Sequence, residues 1–343
     1  MKLICGPMAT ISHPAFRILV ERFGGCDEYF TEMINAGTLV TGGQFEKYYI
    51  DPAPVPQKLV WQLTGKNGEL MEKAAKVLVE LPGIGIDLNM GCSAPDIYRF
   101  GAGISWMIKP AEETREMVRA VKEVVKGSDK RLSVKLRLGD DDFTDEGFFS
   151  FCDMLVGEGV QLLTLHPRTK KEKLTRPPRY EYCQKLAERY KGQFVDGRPF
   201  EVYLNGNIHD KPSFDYALST CPDVSGIMIS RAAVQKPWIF AELSQPPVSS
   251  SPASVSLSDS IRQSINLEQL SLDYITLIEQ YQPPEFWKTR LQRFFTYFCQ
   301  NFKFSHYAQS QFLNAAAHSN EALQQSIKDF FEKCPDERVY VNQ

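Results

Sequence analysis

Short apolar and β-branched runs recur along the chain at residues 3–8, 28–33, 59–63, 84–90, 132–138, 162–166, 201–205 and 227–230. Between them, residues 14–23, 68–81, 111–125, 146–158 and 180–190 carry apolar positions at helical spacing, several opened by proline or an acidic first turn. Eight alternations of strand and helix over roughly 240 residues predict an α/β fold, a (β/α)8 TIM barrel. An open doubly wound sheet is the competing layout. Against it, Pro7-Met8-Ala9-Thr10 follows the first run where a glycine-rich dinucleotide fingerprint would stand.

The pattern changes after the last run. Residues 244–258 are rich in serine and proline and hold too little apolar content to pack, which predicts a linker. Residues 261–281, 284–301, 308–317 and 320–333 then show helical periodicity without a strand-like run. The expected division is a catalytic barrel over 1–243, a linker over 244–258 and a small all-helical domain over 259–343.

Composition narrows the class without naming a chemistry. With 343 residues, 43% hydrophobic and 24% charged, the chain can bury a large core. Its start lacks the basic, apolar and small-residue order of a secretory leader, and no apolar run reaches the ~18–20 residues of a membrane span, so a cytoplasmic location is expected. The eight cysteines form no CxxC pair or other metal-ligand spacing and read as reduced thiols, with no metal expected. A net charge of -3 argues against indiscriminate coating of nucleic acid, yet it says nothing of a local basic surface.

TIM barrels carry their sites at the C-terminal ends of the strands, so the polar residues that close each run matter most. They are Gln62, then Asn89 and Cys92, Lys135 and Arg137, His166 and Arg168, Asn205 and Asn207, and the pair Ser230-Arg231. Singly, such an asparagine is most often a turn residue and such a cysteine a small buried hydrophobe. Together they could bind an anionic, planar, hydrogen-bonding cofactor, with a phosphate near the eighth strand.

These residues sit in motifs whose order resembles the tRNA dihydrouridine synthase family. The motifs are Pro7-Met8-Ala9 with Pro14-Ala15-Phe16-Arg17, Thr31-Glu32-Met33, Gln62-Leu63-Thr64-Gly65, Asp87-Leu88-Asn89-Met90-Gly91-Cys92 and Val134-Lys135-Leu136-Arg137. They continue with His166-Pro167-Arg168-Thr169, Asn205-Gly206-Asn207-Ile208 and Ile229-Ser230-Arg231-Ala232. The linker and helical tail are similar to the family's architecture too, an FMN-bearing barrel joined to a helical RNA-binding domain.

The resemblance implies FMN over the strand ends, with Pro7, Met8 and Ala9 along its ring system, Gln62 and Lys135 on its polar edge and His166 nearby. Asn205, Gly206, Asn207, Ser230 and Arg231 would hold its ribityl chain and phosphate. NADPH or NADH would reduce the flavin, and the substrate would be a uridine in folded RNA, most directly tRNA. Four positions depart from the family's usual pattern: Ser93 stands for proline, Pro167 for glycine or alanine, Asn207 for aspartate and Ser230 for glycine.

The chemistry is consistent with that assignment. Reducing the double bond of uracil needs a hydride on one carbon and a proton on the other, so a cofactor supplies the first and a side chain the second. A thiol at its ordinary pKa of about 8.5 is mostly protonated at neutral pH and can act as an acid. Cys92 is the candidate proton donor, Asn89 a candidate partner of the flipped base, and Lys135 and Arg137 are candidates to offset charge on the reduced flavin or on the uracil carbonyl.

A base inside folded RNA must leave its stack, which calls for surfaces that grip the backbone. The loop holding Arg168, Lys170, Lys171, Lys173 and Arg176 is one candidate. A helix with Lys288, Arg290 and Arg293 among Trp287, Phe294 and Tyr297 is another, although aromatics at helical spacing more often form a bundle core. Three rival readings stay open: an FMN-barrel reductase of a free small molecule, a non-catalytic RNA-binding barrel, and a cysteine hydrolase pairing Cys92 with His166. The last lacks an evident group to orient the histidine. No obligate protein partner is evident in the sequence.

Overall fold

The computed structural model describes residues 1–172, 175–244 and 265–340. Eight parallel strands form a closed barrel: β1 (Lys2–Cys5), β2 (Glu28–Phe30), β3 (Leu59–Thr64), β4 (Gly85–Met90), β5 (Arg131–Gly139), β6 (Leu162–Thr169), β7 (Glu201–Asn205) and β8 (Gly226–Ile229). Each strand pairs with the next in chain order, and β1 pairs with β8 to close the ring. The predicted TIM barrel is the observed fold, with a helical C-terminal region after it.

The predicted strands differ from the observed ones only at their ends. The first was expected over 3–8 but stops at Cys5, and the sixth runs on from His166 to Thr169. That extension carries Pro167 and Arg168 within the strand, beside a shift in the β5–β6 register between Arg137 and Gly139. Proline lacks the donor a regular ladder uses, so it is best tolerated next to such an irregularity.

Two compact units divide the chain. The first comprises Met1–Pro7, Asp27–Ile208 and Pro212–Ile229, and so contains the whole barrel. Its helices begin where the sequence offers caps: Asn67 accepts from the Leu70 N–H ahead of Gly68–Val79, and Thr144 from the Gly147 N–H ahead of Asp145–Gly157.

Side chains alternate along a strand, so period two sorts the barrel into an inside and an outside. Ile4, Phe30, Val60, Leu162, Tyr203 and Met228 pack together as a buried cluster. Register then places Gln62, Asp87 and Ser133 side by side on β3, β4 and β5, and Asn89 beside Lys135. Toward the N-terminal end, Arg131 donates to both carboxylate oxygens of Glu28, one at 2.8 Å, while Tyr203 Oη donates to Glu28 at 2.9 Å. Lys2 bridges Glu28 and Glu201 at 3.2 and 2.8 Å.

The second unit comprises Met8–Cys26, His209–Lys211 and Ser230–Gln343. Its helices include Pro14–Glu21, Leu267–Tyr281, Pro284–Phe298, Ser305–His318 and Asn320–Lys333. Phe294 stacks on Tyr274 at 3.8 Å, and Phe298, Phe302, Phe312, Phe330 and Phe331 complete an aromatic core. Phe294 is therefore core, and so is Arg290, at 1% exposure; Lys288 and Arg293 face solvent. Except for Ser244, the predicted linker lies outside the described residues, as do Lys173 and Leu174 of the cationic loop. Among the described residues no helix is long and apolar enough to cross a membrane.

Candidate active site at the C-terminal end of the barrel

The buried run of β4 alternates apolar Ile86, Leu88 and Met90 with Asp87 and Asn89, which share one face. On that face a chain of hydrogen bonds begins. The Asp87 carboxylate accepts from Ser133 Oγ at 2.7 Å and from Gln62 Nε2 at 2.8 Å. Gln62 Oε1 accepts from Asn89 Nδ2 at 2.9 Å, and Asn89 Oδ1 accepts from the backbone N–H groups of Cys92 at 2.5 Å and Gly91 at 3.3 Å. Arg137 Nε donates to Gly91 O at 2.9 Å and fixes the same turn from β5. Cys92 itself is half-buried, unlike six of the seven other cysteines.

Asp87 was not among the expected site residues. It stands in the strand run over 84–90 and in the family motif without an assigned role, and its parity with Asn89 is the signal that could have found it. It is fully buried, and burial pushes its carboxyl up to about 6, against the hydrogen bonds from Ser133 and Gln62 and the charge of Lys135. Lys135 carries the opposite strain: burial first, then the Arg137 charge, lowers its ammonium to about 8.

Lys135 also has no hydrogen-bond or ion-pair partner among the described residues. The hydroxyls of Thr64 and Thr164 are buried without a hydrogen-bond partner among the described residues, and Thr164 stands in register with Lys135. Native interiors rarely leave such groups unsatisfied. A cationic and hydroxyl-bearing set of this kind suits a planar ligand with several carbonyl and ring-nitrogen acceptors, as the ring system of FMN has. The residues present fit that group.

The remaining expected residues divide. His166 Nε2 lies 2.8 Å from an Arg168 nitrogen, and Arg168 also donates to Arg176 O, so this arginine is buried at 2% exposure and not displayed on the surface. Asn205 Nδ2 donates to Met228 O, which leaves its oxygen available. Gly206 has φ +132°, and a Cβ there would meet the His166 ring at 2.9 Å, so glycine is required on both counts. Asn207 is left-handed at φ +59°, a conformation asparagine tolerates better than most residues. Lys170 pairs with Asp140 at 2.9 Å and lies over the Tyr98 ring at 3.5 Å; Lys171 and Arg176 are exposed.

Pro7 belongs to the barrel unit, whereas Met8, Ala9, Ser230 and Arg231 belong to the second unit. Ser230 has φ -120°, outside the left-handed region that favours glycine.

A closed parallel barrel with a cysteine, a half-buried lysine and a polarised amide chain at its strand ends defines a class of α/β barrel proteins whose site lies at that face. A family model described as dihydrouridine synthase matches residues 3–333. This chain belongs to the dihydrouridine synthase family. It is 30% identical over 252 residues to a rat protein named a tRNA-dihydrouridine(47) synthase-like protein, covering 71% of this chain and 36% of the rat one. A probable tRNA-dihydrouridine synthase of Aquifex aeolicus is 29% identical, covering 71% and 73% of the two chains. The tRNA-dihydrouridine synthase B of Pseudomonas syringae is 27% identical, covering 70% and 67%. The matched region thus spans about a third of the rat relative's length.

Proposed function

We propose that this chain reduces a uridine of tRNA to 5,6-dihydrouridine, with FMN bound at the strand ends and NADPH or NADH as reductant. Family membership supports the reaction class. The observation that carries the reading is the placement of Cys92: a half-buried thiol on a turn tied down by Asn89 and Arg137, beside Lys135, which has no hydrogen-bond partner among the described residues.

FMN, when bound, supplies the hydride. Pro7, Gln62, Lys135, His166, Asn205, Gly206 and Asn207 are the barrel residues that would hold it, with Thr64 and Thr164 as further donors. Cys92 gives its Sγ proton to the uracil carbon that does not receive the hydride. Lys135, cationic at neutral pH with a pKa of about 8, offsets negative charge that develops beside it. Asn89 commits its oxygen to the Cys92 turn and one N–H to Gln62, so one N–H is left for the base.

For the backbone of the RNA, the exposed Lys171 and Arg176 of the barrel are the proposed contacts, and Lys288 and Arg293 those of the helical tail. The tail, residues 259–343, is proposed as the RNA-binding domain.

Purified chain should be yellow, or become so with FMN, and should form dihydrouridine in a tRNA transcript given NADPH. A colourless protein that FMN cannot reconstitute would overturn the reading. Dihydrouridine maps of total RNA from cells with and without the gene would name the position reduced.

A further inference from the structure

We propose that Asp87 is a positioning residue: its buried carboxylate anchors the chain through Gln62 and Asn89 and thereby sets the conformation of the turn that presents the Cys92 thiol. The inference rests on the reading of Cys92 as proton donor.

Polarity argues for it. An ionised carboxylate can only accept, and the backbone N–H groups of Gly91 and Cys92 can only donate. Between these two ends lie two amides, each able to turn either way. Asp87 Oδ2 requires the NH2 of Gln62, so Gln62 presents its oxygen to Asn89. Asn89 must then turn its NH2 to Gln62 and its oxygen to Cys92 N–H. One arrangement satisfies every member. An apolar residue at 87 would leave Gln62 free to turn over, and the reversed chain would face NH2 against N–H at Cys92.

Register makes the device rigid. Gln62, Asp87 and Ser133 are neighbours across three hydrogen-bonded strands, and Ser133 holds the second carboxylate oxygen. Burying a carboxylate in this layer disfavours its charged form, which the raised pKa of about 6 expresses. A group kept only for stability would do better as an amide or an apolar side chain.

The test is the alkylation of Cys92 by iodoacetamide in the full chain, followed by mass spectrometry, with half-buried Cys334 as internal reference. Asp87→Asn replaces a charge-assisted hydrogen bond by a neutral one and loosens the turn, and Gln62→Leu cuts the chain in its middle. Each should raise the Cys92 rate by about three- to tenfold, the equivalent of one such bond, with Cys334 unchanged. The double variant should be no faster than Gln62→Leu alone, because a connection already cut cannot be cut again. Ser133→Ala, which perturbs the carboxylate from its other side, should leave Cys92 near the wild-type rate. In FMN-loaded protein acting on a tRNA transcript, Asp87→Asn should lower kcat with KM unchanged.

Additive effects of Asp87→Asn and Gln62→Leu, or an equal effect of Ser133→Ala, would reduce Asp87 to a structural residue and overturn the proposal. So would an unchanged Cys92 rate in folded Asp87→Asn. If the alkylation pattern holds and no variant, wild type included, forms dihydrouridine, the positioning role survives and the proposed reaction fails.

Discussion

The two ends of the barrel interior are built from the same alternation of inward side chains and treat charge in opposite ways. At the N-terminal end, Glu28, Arg131, Tyr203, Lys2 and Glu201 turn toward one another, and Glu28 receives three donors. Burial alone would raise the Glu28 pKa, but the hydrogen bond and charge of Arg131 hold it below the usual carboxylate range. At the C-terminal end, Lys135, Thr64 and Thr164 have no such partners among the described residues, and burial depresses the Lys135 ammonium. A closed network stabilises the fold, whereas an open one keeps donors for something that binds. The difference separates the plug of the barrel from the site proposed for it.

Three substitutions test that contrast. The largest effect is expected at the open end: Cys92→Ala should lower single-turnover reduction of a tRNA transcript by about 10²–10⁴-fold. Thermal unfolding of that variant should match wild type, since the half-buried thiol closes no network. A variant that kept its rate would remove Cys92 from the chemistry.

Arg131→Met acts at the closed end and should cost about 3–5 kcal/mol in urea unfolding, because it leaves Glu28 charged, buried and without its main partner. FMN binding by the folded fraction should persist. The loss should shrink as pH falls. The depressed pKa of Glu28 means its contribution is present above the ordinary carboxylate range and disappears once acid protonates it in the folded state. A pH-independent loss would show that packing, not the ion pair, was removed.

The smallest effect runs in the opposite direction. Lys135→Met should stabilise the FMN-free protein at pH 7 by roughly 1–3 kcal/mol, while weakening FMN binding. Its folded pKa of about 8 lies below the ordinary 10.5, so between these values the unfolded chain holds more protons. Wild-type stability attributable to Lys135 therefore rises with pH across that window, and the advantage of the variant should fade from pH 8 toward 10.5. Destabilisation at pH 7 would mean that Lys135 is satisfied within the fold, and the contrast between the two ends would fail.

Much of this was legible beforehand. The eight strand runs and their order follow from apolar clusters of strand length, a local signal that survives in the observed barrel. The polar residues closing those runs were legible for the same reason, because the fold dictates which end of a strand carries chemistry. Arg168 was read as a surface cation and lies buried against His166, since β6 runs past Pro167 and draws it into the sheet. Lys170 was read the same way, yet it is paired with Asp140 and Tyr98, residues distant in sequence.

The alternation of strands and helices, the family motifs and the position of Cys92 at a strand end are written in local pattern, because they depend on neighbours along the chain. Which polar groups satisfy one another is settled by the folded arrangement of the strands. Pairing of β3, β4 and β5 brings Gln62, Asp87 and Ser133 into one layer and leaves Lys135 without a hydrogen-bond partner among the described residues. Hydrogen bonding is directional and acts over about 3 Å, so membership in such a chain is set by register across strands and cannot be read from spacing along one of them.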